Sequence, residues 1–428
     1  MQGPEYVRLV SPLERLFIAS AILHPPFCNQ LVIEGVGELS VVQLQRALDQ
    51  CSAANPGSTL RLIDRGEPLR WQSGPLPRLT CICAPDWDGT SDDGAAFLRT
   101  PLDPDQGPTC EVMCVTARDT VTRLIFRSLH AVMDGIGTLL WAGDFMAALR
   151  HEAVSGHSGT IGDVDLAQRL VPGRTRARPQ ADALHPLGRP GPWDRREPFH
   201  WRRIMVPHQV DSHVLAVVAA TLNRLARQHA ENDHAALHAK VRFNIPCDLR
   251  RHDLAEKSTG NLFGPLFVEM PADAPSHQFG LQLIRQMYER QELIPLNFLA
   301  HVAATSLDQW REILRQLLEQ QHRQARYVFS ATLSHLGRLT RTAWSCPDFV
   351  ATSAYFVPPL ADQVCFVACN GFDRHTEITI ALPPQFCHDD GLAVLAKQIR
   401  AGLGDDLVLR RSPIREAAGN CEHNIGAL

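Results

Sequence analysis

The sequence predicts a mixed α/β fold built as two halves, each a layer of strands covered by helices. Three observations predict it. Strand-like runs such as Val121 to Ser128 and Glu377 to Leu382 alternate with helical-period runs such as Ser40 to Cys51 and Leu307 to Gln321, in comparable amounts in both halves. Between the halves, Pro172 to Pro198 crowds proline, glycine and arginine (PGRTRARPQ, HPLGRPGPW, DRREP) and keeps no period. The 428 residues, 45% apolar and 21% charged, suffice for two subdomains of ordinary globular composition. The expected division is 1–171, a linker at 172–198, a second unit at 199–411 and a polar tail at 412–428. Two sheet-and-helix layers can leave a cleft between them, where sites tend to lie.

The elements follow in order. Ser11 and Pro12 are a helix start, and Gln30 to Gly37 has strand character. Ser40 to Cys51 repeats Leu44, Ala47 and Leu48 at helical spacing. Leu60 to Ile63 and Leu69 to Trp71 read as two strands about a turn at Gly66. Asp86 to Asp105 is largely loop with a short helical piece. Cys110 to Val115 and Val121 to Ser128 form a hairpin around Arg118 and Asp119. Gly137 to Arg150 is a helix packed on the core. The arginines of 172–198 could meet phosphate, but a solvated linker is the plainer expectation. Beyond it, Arg203 to Val206 is a strand stopped by Pro207, and Ser212 caps a helix to Ala230. Lys240 to Ile245 is a strand, Thr259 to Gly264 a loop, and Leu281 to Gln291 and Leu307 to Gln321 are helices. Tyr327 to Leu333, Phe349 to Pro358, Val364 to Gly371 and Glu377 to Leu382 are strands before a closing helix at Asp390 to Ala401.

Several function classes lose support at this level. A net charge of -4 gives nucleic acid no global attraction. MQGPEYVRLVSPLERLF lacks the pattern of a signal peptide, and no apolar run reaches membrane-spanning length. The 12 cysteines include no CxxC pair; Cys81 and Cys83 share one strand face. Reduced, mostly buried thiols and a cytoplasmic location are expected. The histidines form no HExxH and the carboxylates no metal spacing, so no metal is expected.

The chemistry-bearing segment is FRSLHAVMDGIG, Phe126 to Gly137. His130 follows a strand, Asp134 stands four residues on, and Gly135 and Gly137 let the chain turn sharply into the next helix. A histidine at a strand end can project into a cleft, with a near-neutral pKa suited to accepting a proton. There is no GxSxG elbow, and Ser128, on the same strand face as His130, does not make a catalytic pair. Asp134 could orient the imidazole as the acid of a triad does, or bind an arginine and brace the turn.

HAVMDG, His130 to Gly135, resembles the HxxxDG core of the condensation-domain and chloramphenicol-acetyltransferase-like acyltransferase superfamily. Five further segments agree in order over nearly the whole chain: SPLERLF from Ser11, NPGSTLR from Asn55, CDLR from Cys247, STGNLFG from Ser258 and SHLGRL from Ser334. The feel is that of stand-alone bacterial condensation-like enzymes. Many members carry two adjacent histidines; here Leu129 replaces the first. DFGWG is absent, so the plant branch fits poorly.

The resemblance implies two similar αβ subdomains in a V-shaped pseudo-dimer, with a central tunnel and the histidine midway. It implies that Asp134 braces the loop through an arginine, with Arg250 the best match and Arg251 a rival, and that Asn261 and Ser334 line the tunnel. His335 and Asn244 have similar standing. No bound cofactor is implied; an acyl-CoA or a phosphopantetheinyl carrier thioester is the donor and a small amine or alcohol the acceptor. A carrier protein is then a partner, and natural-product biosynthesis the setting. Two other classes remain: a non-catalytic carrier- or ligand-binding module of the same fold, and a relative that catalyses cyclisation or isomerisation with the same base.

Overall fold

A computed structural model describes residues 6–63, 68–117, 121–192, 197–207, 213–231, 239–271, 274–360, 364–387 and 390–410. The Gly66 turn, the tip at Arg118 and Asp119, the cap at Ser212 and the tail after Arg410 lie outside them.

In chain order the elements are β1 (Val7–Leu9), α1 (Pro12–Leu23), β2 (Cys28–Gly37), α2 (Val41–Ala54), β3 (Leu60–Ile63), β4 (Arg70–Ser73), β5 (Arg78–Cys83), β6 (Cys110–Thr116), β7 (Thr122–Leu129), α3 (Gly135–Leu149), α4 (Asp163–Leu170) and β8 (His200–Val206). Then come α5 (Val214–Ala230), β9 (Val241–Asp248), β10 (Phe263–Met270), α6 (Ser276–Tyr288), α7 (Phe298–Ala304), α8 (Leu307–Gln324), β11 (Ala331–Leu339), α9 (Arg341–Trp344), β12 (Phe349–Val357), β13 (Cys365–Phe372), β14 (His375–Leu382) and α10 (Gly391–Arg410). Local chemistry sets several boundaries. Ser11 and Glu14 form a capping box that starts α1, and Ser40 and Gln43 do the same for α2.

One sheet has the order β12-β2-β7-β6-β5, a second β10-β9-β11-β13-β14-β8, and a small third β1-β4-β3. The first packs with α1, α2 and α3 around Phe126, Trp141 and Phe145; the second with α5, α6 and α10 around Phe243, Val218 and Ile399. Strand β7 is buried along its whole length, so its apolar residues continue on both faces.

Sequence order and sheet membership part company in the expected second unit, 199–411. Strand β12 leaves it to pair antiparallel with β2, Val350 opposite Val36 and Phe356 opposite Leu31. Helices α7 and α8 pack on α1, and Val302, Trp310 and Leu314 join the first core. The apolar faces of these segments match the first sheet and α1, and the chain crosses to reach them.

Residues 176–191 of the expected linker pack on the second unit, while 172–175 are exposed. Ala183 makes bridges with Lys240 and Tyr327, and His185 is buried and stacked on Phe386 with ring centroids 3.4 Å apart. Arg176 reaches Ile294 O at 3.1 Å and lies over the Phe267 ring. The segment shows no period because isolated bridges and side-chain donors satisfy its backbone surroundings, not a continuous ladder.

A buried charge network joins the two sheets. Arg203 of β8 donates to Glu377 of β14 at 2.7 Å and 2.7 Å, to Glu34 of β2 at 2.6 Å and to Ser353 of β12 at 2.7 Å. Arg123 of β7 holds the other Glu34 oxygen at 2.8 Å. Burial alone would raise the Glu377 carboxyl, but Arg203, His375 and Ser353 hold it down to about 2. Every member has partners, which such a buried cluster needs to avoid a desolvation penalty.

Candidate active site

Strands β2 and β7 run antiparallel, with Cys28 opposite Leu129 and Asn29 opposite Ser128. The chain leaves β7 at Leu129, turns, and enters α3 at Gly135. Backbone bonds from Val132 N to Leu129 O (2.9 Å) and from His130 N to Phe27 O (3.1 Å) close and anchor the turn. His130 is therefore presented from a loop tied at both ends to the sheet.

Its imidazole is oriented on one side. Nδ1 lies 3.0 Å from Met133 O, and Asn29 Nδ2 donates to the same oxygen at 2.8 Å. Asn29 Nδ2 is also 3.3 Å from Nδ1, a contact between two donors when Nδ1 bonds Met133. That assignment puts the proton on Nδ1 and leaves the lone pair on Nε2. Phe17 stacks on the ring with centroids 4.3 Å apart, and Phe27 lies tilted at 5.2 Å. Burial among these rings pushes the imidazole below its ordinary pKa, opposed by the Met133 carbonyl and by Asp134. A ring held neutral in this way is suited to take a proton near neutral pH.

Asp134 does not touch the imidazole through any hydrogen bond among the described residues. Its Oδ1 caps α3 by accepting from Gly137 N at 2.6 Å, and its Oδ2 accepts from Leu262 N at 2.8 Å. Arg250 approaches both oxygens, Nη1 to Oδ2 at 3.1 Å and Nη2 to Oδ1 at 3.3 Å. Arg250 also donates to Ser258 O at 2.8 Å, Gly260 O at 2.5 Å and Asp248 Oδ1 at 2.8 Å. One buried pair thus ties the His130 turn to the loop before β10. Arg251 turns elsewhere, to Glu292.

Gly135 and Gly137 act differently from the expectation of a sharp turn. Neither has positive φ; both lie in the first turn of α3. A Cβ on Gly137 would collide with the Thr259 backbone carbonyl, whereas one on Gly135 would meet only the Leu336 side chain, at 2.9 Å. Gly137 gives room for close approach of the 258–262 segment, which sequence spacing could not show.

Asn261 lies behind the turn and outside the cavity wall. Its Nδ2 donates to His130 O at 2.9 Å and approaches Glu14 Oε1 at 3.4 Å. Glu14 is buried with Arg8 at 2.6 Å and Trp71 Nε1 at 3.1 Å. An amide side chain suits this position because it can donate to a carbonyl and a carboxylate together. Ser334, His335 and Asn244 do line the cavity, on β11 and β9. Ser128 bonds Thr138 at 2.7 Å and takes no part in the wall.

The cavity holds about 270 Å³ and is walled by both sheets: His130, Asp134 and Gly135 from one side, and β9, β10, β11 and β13 from the other. Much of the wall is aromatic, including Phe17, Phe263, Phe267, Phe329 and Phe366. Phe17, which closes the SPLERLF segment, faces it, and so do Asn29 and Asp163, which no motif marks because their importance comes from neighbours far away in sequence. For Asn29 the one signal is position: it opposes Ser128, just before His130, on the adjacent strand.

This architecture is the fold of condensation domains. A mutant of the starter condensation domain of rhizomide synthetase RzmA, in complex with C8-CoA, superposes with a TM-score of 0.61 at 12% identity, covering 92% of this chain and 93% of that one. The first condensation domain of the calcium-dependent antibiotic synthetase, in complex with a substrate analogue, gives a TM-score of 0.61 at 15% identity over 94% of this chain and 96% of that one. The condensation domain of the monacolin K polyketide synthase MokA gives 0.61 at 11% identity over 93% and 96%. No family model matches the sequence, and no curated protein matches it.

Proposed function

We propose that the chain is an acyltransferase of condensation-domain type, joining an acyl group from a thioester to an amine or hydroxyl. The observation that carries this is His130, whose Nδ1 lies 3.0 Å from Met133 O in the wall of a cavity lined from both sheets; a proton on Nδ1 leaves Nε2 as the base. Nε2 accepts the proton as the nucleophile attacks the thioester carbonyl. The carbonyl oxygen becomes an oxyanion, and backbone N–H groups in the first turn of α3, beside Gly135, supply donors at the positive end of the helix. Collapse expels the thiol, to which His130 returns the proton. Atoms balance without a covalent enzyme intermediate.

Asp134 and Arg250 are positioning residues, and Asn261 fixes the turn from behind. Ser334 lies on the opposite wall and contacts substrate. The aromatic wall suits an acyl chain, and one of the structurally similar proteins is seen with C8-CoA, which makes an acyl-CoA a reasonable first donor to test; a phosphopantetheinyl carrier protein presents the same thioester. The work of such an enzyme lies in natural-product assembly. No helix among the described residues is long and apolar enough to cross a membrane.

The test is intact-mass analysis of products from octanoyl-CoA and a panel of amines and alcohols, with His130→Ala beside the wild type. Acyl transfer adds the octanoyl mass to the acceptor and frees CoA thiol. His130→Ala should lose about 10²–10⁴-fold in turnover, the range of general-base catalysis. Turnover by that variant close to wild type would remove the histidine from the chemistry. A product of unchanged mass would point to isomerisation.

A further inference from the structure

We infer that Asp163 is an acceptor-binding residue that selects molecules carrying a cationic ammonium group in addition to the nucleophile. This rests on the acyl-transfer reading and extends it to the substrate class.

Asp163 begins α4 and is among the residues lining the cavity. It is 5% exposed, and its Oδ1 is buried with no hydrogen-bond partner among the described residues. A buried carboxylate normally has a partner, because desolvation without one costs free energy. The other carboxylates of the wall are answered by bases. Asp134 and Asp248 share Arg250, and Glu292 takes Arg251 and His252. Arg8 lies in the field of Asp163 but forms its ion pair with Glu14, at 2.6 Å. Burial lifts the Asp163 carboxyl to about 7, against hydrogen bonds from Ser11 and from the backbone at Asp163 and Val164, and with Glu14 adding to the rise; no base among the described residues answers it. An unpaired acceptor in a cavity wall is a receptor for an N–H donor, and an ammonium supplies donors and charge together.

The geometry also sets a length. Asp163 sits beside Ser11 at the N-terminus of α1, and the Ser11 side chain hydrogen-bonds its carboxyl. Phe17, stacked on His130, lies six residues further along that helix, roughly 9 Å by helical rise. An acceptor spanning the two points has its nucleophile and its cation separated by about that distance. The aromatic side of the cavity is left for the acyl chain.

Calorimetric titration of the full chain with 6-amino-1-hexanol and with 1-hexanol tests this without turnover, since only the first carries an ammonium. The amino alcohol should bind at least about tenfold more tightly, the effect of one charge-assisted hydrogen bond. Asp163→Asn should abolish that preference, with its folding checked by melting. His130→Ala should retain it. Equal affinities in the wild type would overturn the inference, as would a preference that survives in a folded Asp163→Asn. If Asp163→Asn fails to fold, the wild-type ratio and its dependence on chain length decide alone: an amino-alcohol advantage that peaks near six methylenes supports the inference, and none overturns it. Absence of any acylated product alongside a clear amino-alcohol preference would sink the acyl-transfer reading and leave the cation site standing.

Discussion

Replacing Asp134 by alanine removes two distinct supports at once. The first is the N-cap of α3, the 2.6 Å bond from Gly137 N, whose loss in other helices costs about 0.5–2 kcal/mol. The second is the buried pair with Arg250, whose disruption leaves a positive charge without its partner and costs about 3–5 kcal/mol in comparable sites. Asp248 still accepts from Arg250 at 2.8 Å, as do the Ser258 and Gly260 carbonyls, so part of the charge stays compensated. The two costs also overlap, since one side chain makes both contacts. A net loss of about 3–5 kcal/mol follows. At roughly 2 cal/mol/K of unfolding entropy per residue, a chain of 428 residues melting as one unit should lose about 3–5 °C. Differential scanning calorimetry reads this directly, and the mass assay reads the fall in turnover as His130 loses its anchored turn. Arg250→Met should cost less when added to Asp134→Ala than when made alone, because the charge then has less to lose. A melting temperature equal to wild type in Asp134→Ala, or full additivity in the cycle, would refute the bracing role.

With burial holding His130 below its ordinary pKa, the base stays neutral through neutral pH. With an alcohol acceptor, which does not titrate in this range, kcat/KM should be flat near pH 7 and fall only on the acid side, below about 6.5; a rising limb centred above pH 7 would contradict this. Gly137→Ala should destabilise strongly, since its methyl meets the Thr259 carbonyl, whereas Gly135→Ala should cost under about 1 kcal/mol because Leu336 can move; comparable melting temperatures for the two would argue against the close approach. Glu377, held down to about 2, contributes stability that is complete above its unfolded value and lost as pH falls from about 4.5 toward 2. Arg203→Met should therefore shift acid unfolding to higher pH, and an unchanged acid transition would count against the network.

Period and punctuation alone carried much of the secondary structure. Ser11 and Pro12 start α1, the β6–β7 hairpin runs where alternation places it, and His130 emerges at the end of β7. These are local properties: caps, alternation and turn residues act over a few positions. The ordered segments from Ser11 to Leu339 were also readable, and they led to the fold that the solved condensation domains share. What the tertiary structure decided were the long-range choices. That β12 crosses to pair with β2, that residues 176–191 pack as a strap, and that Arg250 and not Arg251 meets Asp134 all depend on surfaces brought together only by folding. Asn261 shows the difference most directly. Its position in the STGNLFG segment suggested a tunnel wall, but folding set its amide against the His130 carbonyl and Glu14. A side chain's neighbours across more than 100 residues of chain are set by packing, which no local pattern encodes.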